Sequence, residues 1–270
     1  MAKRKNNWTE AKVKKYIKEG RGQGELSVYQ PWLTIQDVPS RGRVHRSMGW
    51  KTEREHHLFS DLEFNYFCLS DWANNVIDIR EQFPLDRQVT LSIAEEINIK
   101  HPTDNKTATP IVMTTDFFLT IREEKKISYK ARTIKPSEEL NNVRVIEKFE
   151  IERIYWEKQG VDWGIVTERD IPSTFVENLK FIKQSYYLDD YSYIEVFMSD
   201  WKNFKGNLRE NLNAFDLRYN FDAGTGILLY KYALARKLLS VDMNKKISLN
   251  EEVENITVQQ EAITFERWAK

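Results

Sequence analysis

Three side chains in this sequence have types and settings suited to work on a phosphodiester: Glu63, Asp116 and Lys135. Hydrolysis of such a bond builds charge on the phosphoryl and leaving oxygens. It therefore calls for a hard cation such as Mg²⁺, held by carboxylates and backbone carbonyls. A nearby ammonium orients or deprotonates the attacking water and shields the phosphate. The arrangement needed is a carboxylate and a lysine on adjacent strands, with a second carboxylate from a helix. Asp116 sits inside IVMTTDFFLTI, an otherwise apolar or uncharged run. A lone carboxylate there is costly unless it is paired, metal-bound or facing a cleft. Lys135 ends the alternating run ISYKARTIK before Pro136, and Glu63 follows Leu62 in LFSDLEFNYF. Each has an ordinary reading as well: Asp116 on an exposed sheet face, Lys135 as a strand-end lysine, Glu63 on the solvated face of its helix. Spacing alone does not choose.

The elements that must position these groups follow from periodicity. Leu58, Leu62, Tyr66 and Leu69 recur at helical spacing, with Phe59, Phe67 and Cys68 widening the stripe, and predict a helix over about 58–73 capped by Ser60 or an earlier residue. Residues 76–85 predict a short strand and 91–99 a helix. The β-branched, aromatic stretches 111–121 and 127–135 predict two strands paired as a hairpin, ended by Pro136. Residues 137–159 predict one long helix with Ser137 as candidate N-cap and Gly160 just past its end. Residues 163–171 predict a buried strand, which completes an α/β unit near Ile171. Beyond it, helices at 172–183, 208–221 and 225–236 and a short hairpin at 239–249 around Asn244 predict a mostly helical, winged-helix-like domain. The expected division is 1–171 and 172–270.

Bulk properties narrow the setting. Of 270 residues, 41% are hydrophobic and 13% aromatic, enough for real cores. The 41 basic and 41 acidic residues cancel, so local asymmetry matters more than the sum. Lys3, Arg4, Lys5, Lys12, Lys14, Lys15, Lys18 and Arg21 make the first stretch basic, with a short helix starting near Thr9. It reads equally as a phosphate-neutralising segment and as a solvated helix followed by a flexible joint. Residues 29–50 read as irregular, with Arg41, Arg43, His45 and Arg46 adding positive charge. The single cysteine, Cys68, excludes an internal disulfide, fits a reducing cytoplasm and reads as a core residue on a helix. No apolar run approaches the roughly 20 residues of a membrane span.

Six ordered motifs, HHLFSDLE, DIREQFPL, KHP, TTDF, IKP and EKFEIERIYW, together resemble the TnsA family, the endonuclease subunits of heteromeric cut-and-paste bacterial transposases. The likeness is densest between residues 20 and 168. It implies a restriction-endonuclease-like α/β catalytic domain followed by a winged-helix-like domain. It also implies Mg²⁺-dependent cutting of the non-transferred 5′ strands at transposon ends, with Mn²⁺ able to substitute. On the matching motifs, Glu63 (SDLE), Asp116 (TTDF), Lys135 (IKP) and Glu152 (FEIERIYW) become the expected catalytic residues, with Glu63 and Asp116 binding metal. Restriction-like nucleases carry Glu or Asp two residues before the lysine, and TnsA proteins Gln. Here the position is Thr133, whose hydroxyl can still ligate Mg²⁺ weakly or through water but adds no charge, so the metal would lean more on the backbone carbonyl of Ile134. The implied partners are double-stranded DNA, a TnsB-type transposase subunit that cuts and joins the 3′ strands, and an ATP-dependent TnsC-type regulator. The near-neutral charge suits a chain that relies on them. The tail with Trp268, Glu251, Glu252 and Glu254 is the expected docking segment for the regulator.

Other polar residues carry lesser expectations. His56 and His57 suggest DNA contact or helix capping, with a metal-ligand role as the minor reading. The His101–Pro102 loop is placed to reach the site. Asp78 and Arg80 suggest an internal ion pair, with a phosphate contact by Arg80 as the alternative, Gln82 stays open, and Glu147 and Glu150 read as exposed helix charges. Two rival functions remain: a non-catalytic scaffold on a degenerate nuclease fold, and a self-sufficient nuclease reading its own target.

Overall fold

The computed structural model of the chain describes residues 7–38, 42–124 and 126–259. Lys3, Arg4, Lys5, Arg41 and Trp268, all given roles above, lie outside them. The chain divides into two units, Met1–Ile171 and Pro172–Lys270.

In the first unit α1 (Glu10–Lys18) is capped by Thr9, whose hydroxyl accepts the Lys12 amide at 3.1 Å. It is a docked helix: Val13 and Tyr16 bury against Trp32 and Val112, and Arg87 grips Glu10 at 2.7 Å. The region read as irregular contains a hairpin, β1 (His45–Met48) and β2 (Glu55–Leu58). No hydrophobic alternation announces these strands, because ionic and polar contacts anchor them. Arg54 and His56 reach the fully buried Glu81, and the amides of Trp50 and Lys51 reach Asp71. Leu58, assigned above to a helix, closes β2; the helix α2 runs Asp61–Trp72 behind its cap Ser60.

The central sheet has the order β3 (Val76–Pro84), β4 (Thr114–Glu123), β5 (Lys126–Ile134), β6 (Asp162–Val166), antiparallel except for the parallel β5–β6 pair. That pair is joined by α4 (Val143–Lys158). The single helix expected over 137–159 is broken: Ser137–Asn141 forms a 3-10 turn, and the Asn142 side chain caps α4 by accepting the Arg144 amide at 2.9 Å. Ser137 does not cap; its hydroxyl and amide bond Glu168. One sheet face is covered by α3 (Arg87–Glu96) and α4, with Ile93, Phe118, Ala131, Ile151 and Trp156 in the core. The other face carries α2, where Tyr66 meets Phe117 with ring centres 5.3 Å apart.

The second unit gathers α5 (Ser173–Lys183), α6 (Ser192–Trp201) and α7 (Leu208–Tyr219) around α8 (Thr225–Ala235). The sequence reading missed α6, which is rich in β-branched and aromatic residues and lacks a side-chain cap. Its signal was the spacing of Ile194, Phe197 and Trp201, all buried. Trp201 stacks on Tyr230, and a side chain at Gly226 would sit 2.8 Å from the Leu212 carbonyl, so glycine lets α7 and α8 approach. The hairpin expected around Asn244 is not formed. β7 (Leu239–Ser240) pairs instead with β8 (Thr257–Val258), while Asn178 ties down the intervening segment through the Met243 and Lys245 carbonyls and the Ile247 amide.

Candidate active site at the open end of the β4–β5 pair

Where the β4–β5 ladder stops at Phe117 and Arg132, the Asp116 side chain takes over. Its Oδ2 accepts the Ile134 amide at 2.8 Å, and its Oδ1 accepts Gln82 Nε2 at 3.3 Å. The alternation of the strand breaks at this point. Phe118 stacks on Trp156 of α4 and Phe117 faces α2, yet Thr115, an odd number of residues from Phe118, also bonds Trp156. Opposite it, Gln82 takes a left-handed backbone at φ 49°, uncommon for a residue other than glycine. At this irregular point Asp116 lines the cleft.

Glu63 arrives from the first turn of α2. Its amide donates to Ser60 Oγ at 3.1 Å, and its carboxylate accepts the Phe59 amide at 2.9 Å and the Ser60 hydroxyl at 3.2 Å, a capping-box arrangement. Glu152 comes from α4. Its Oε1 accepts the Thr115 hydroxyl at 2.7 Å and the Thr133 hydroxyl at 2.5 Å, and these oxygens accept the indole N–H groups of Trp156 and Trp163. Thr133 is thus committed to holding Glu152, with part of its oxygen's accepting capacity left over. Lys135 follows β5 directly, and its ammonium lies 3.0 Å from Glu139. Glu63, Asp116, Thr133, Ile134, Lys135 and Glu152 line one cleft of about 430 Å³, closed in part by Trp8, Leu33 and Val38 of the N-terminal region.

The electrostatics of the cleft resist its own charge. Burial pushes Glu63 up to about 8, reinforced by the negative charge of Asp116. Burial raises Asp116 too, against the Ile134 amide and Lys135. Burial lifts Glu152 to about 7, over the opposing hydroxyl bonds and with a smaller push from Asp116. Three carboxylates so placed are a setting in which a cation restores ionisation. The donors are hard oxygens, which fits Mg²⁺ and excludes a soft site. Among the described residues no three His, Cys, Asp or Glu side chains form a ready-made cage. Water and phosphate oxygens would complete the shell, as Mg²⁺ prefers.

The remaining candidates sort cleanly. His56 is buried between Glu81 and Thr52, a structural group. His57 is half-buried and uses its amide on Glu81. Pro102 lines the cleft, but His101 turns away to Thr90. Asp78 and Arg80 do pair, at 3.3 Å. Glu147 and Glu150 bind Arg144 and Arg153 along α4. Glu254 caps the Gly206 amide and Glu251 meets Asn255. Cys68 is buried on α2. Gln82 is the residue whose part was not legible, since nothing in a sequence marks a left-handed glutamine.

A four-stranded mixed sheet flanked by helices, with a carboxylate–lysine cleft where two of its strands part, defines a class of mixed α/β proteins. Within it, the family model described as TnsA-like endonuclease N terminal matches residues 73–168, and that described as TnsA endonuclease C terminal matches residues 170–243. The chain is also similar to "Transposon Tn7 transposition protein TnsA" of Escherichia coli, 42% identical over 182 residues that cover 67% of this chain and 66%, just under two thirds, of that protein. The chain belongs to the TnsA endonuclease family. Asp116, Lys135 and Glu152 fall inside the N-terminal match, and Glu63 precedes it.

No helix among the described residues is long and apolar enough to cross a membrane.

Proposed function

We propose that this chain is the DNA endonuclease subunit of a heteromeric transposase, hydrolysing the 5′ strands at transposon ends with Mg²⁺. The observation that carries the reading is the meeting of Glu63, Asp116 and Glu152 with Lys135 in one cleft at the parting of β4 and β5. When bound, the cation supplies Lewis-acid stabilisation of the phosphoryl oxygens and a more acidic water. Glu63 and Asp116 would hold it, with the Ile134 carbonyl as neutral donor. Thr133 acts chiefly by fixing Glu152, whose Oε1 is held by two hydroxyls. Lys135 exchanges Glu139 for the substrate phosphate or the attacking water.

The partners of this reading are double-stranded transposon ends, a TnsB-type transposase and a TnsC-type ATP-dependent regulator, in the cytoplasm. The bundle α5–α8 with its β7–β8 ribbon is read as the winged-helix-like module that serves this assembly. The test is strand cleavage in the full assembly with Mg²⁺ or Mn²⁺, native against Asp116→Ala. Product from the assembly that holds the native chain, and none from the one that holds Asp116→Ala, supports the reading. Equal product from both returns the chain to a scaffold.

A further inference from the structure

Lys148 lies on α4 one turn before Glu152 and lines the same cleft as Lys135. The cations beside it on this helix and on β5 have anions. Lys135 has Glu139, Arg132 has Asp162, Arg144 has Glu147, and Arg153 has Glu150 and Glu157. Among the described residues Lys148 pairs with no carboxylate, and the charged groups acting on it are Arg144 and Lys135. Glu152, four residues on, would be its natural helix partner, but that carboxylate is turned inward to Thr115 and Thr133. Lys148 itself is exposed at the surface, while desolvation of its ammonium and the positive charges of Arg144 and Lys135 disfavour its charged form. An ammonium set among positive groups at the mouth of a cleft, with the nearby acids already engaged, is a place for an anion.

We propose that Lys148 is a phosphate-binding residue of the cleft, contacting the DNA backbone beside the bond that is cut. The proposal rests on the nuclease reading for its ligand but on a separate residue. Lys135 and Lys148 would flank the bound strand from β5 and α4, while the carboxylates occupy the floor. The contact is to phosphate, so it is independent of base sequence.

The full chain is titrated with a short DNA duplex at a fixed Ca²⁺ concentration over a series of NaCl concentrations, native against Lys148→Gln and Lys148→Arg. In parallel, strand cleavage with Mg²⁺ is followed in the assembled transposase for native, Lys148→Gln and Asp116→Asn. Lys148→Gln should bind roughly five- to tenfold more weakly at low salt, with the slope of log affinity against log salt reduced by about one. Lys148→Arg should keep both. Unchanged affinity and slope in Lys148→Gln, or no duplex binding by the native chain, overturns the phosphate contact. The nuclease reading is judged separately: cleavage by Asp116→Asn equal to native sinks it, whatever Lys148 does.

Discussion

The Asp116 carboxylate accepts the backbone amide of Ile134 at 2.8 Å, so one side chain both ends the pairing of two strands and fixes a negative charge at their fork. The bond ties the position of the charge to the sheet itself. Asp116→Asn keeps an oxygen for that amide and removes the charge. It should leave the urea midpoint of the first unit near native while strand cleavage in the assembly falls roughly a hundredfold or more. Asp116→Ala leaves the amide without its acceptor and should cost a further ~1–3 kcal/mol of stability. Asn with native cleavage would remove Asp116 from the chemistry.

The hairpin β1–β2 is held by a buried ionic cluster. Burial works to raise Glu81, yet contacts with His56 and Arg54 hold it well below the usual carboxylate range. Removing the carboxylate leaves Arg54 buried beside an empty space. Glu81→Ala should lose about 3–5 kcal/mol in denaturant unfolding. Because the native group is depressed, its contribution is present above the ordinary carboxylate value of 4.5 and fades as pH falls toward the folded value. Acid titration of the native chain and Glu81→Ala should therefore converge. A loss below 1 kcal/mol at neutral pH would show the cluster to be dispensable.

Much of this was readable in order. The β4 and β5 strands, the cap at Ser60 and the elements that carry Glu63, Asp116 and Lys135 follow from period and turn chemistry, while the choice of those three over their ordinary readings came from the family motifs. What was not readable rests on contacts distant in sequence. β1 and β2 are anchored by Glu81, 25 residues beyond His56. The break at Asn142 is a competition between one continuous helix and a side-chain cap, which local propensity does not decide. β8 returns to β7 from beyond the tight turn expected at Asn244 because Asn178, far upstream, holds the loop. Thr133 looked like a gap in the acidic set; only the fold shows its hydroxyl donating to Glu152.

Thr133 is therefore a positioning residue in this reading, and its test separates positioning from bulk. Thr133→Val keeps the shape, removes one of the two hydroxyls on Glu152 and strips the Trp163 indole of its acceptor. Stability should drop by about 1–3 kcal/mol. Cleavage should fall roughly 10–100-fold with DNA affinity unchanged, as for other groups that orient ligands. Thr133→Ser should restore cleavage. A Ser variant as poor as Val would point to packing of the methyl group instead.

Glu63 carries two duties that one substitution can part. As the third residue of α2 it completes the cap with Ser60, a duty glutamine also performs; as an acid it is pushed to about 8 by burial and by Asp116. A group whose folded value is raised contributes stability that is full below its unfolded value, here 4.5, and is lost as pH rises through about 8. The metal-free native chain should thus melt at progressively lower temperature across that window. Glu63→Gln should match native at the acid end within about 0.5 kcal/mol, weaken the pH dependence to the part that Glu152 and Asp116 contribute, and abolish cleavage, whereas Glu63→Ala also loses the cap at a cost of about 1 kcal/mol. Binding a divalent cation requires the ionised form, so Mg²⁺ or Ca²⁺ should raise the melting temperature of the native chain more near the alkaline end than near the acid end, and of Glu63→Gln much less at either. Parallel pH profiles for native and Glu63→Gln, with equal stabilisation by the cation, would mean that Glu63 only caps its helix.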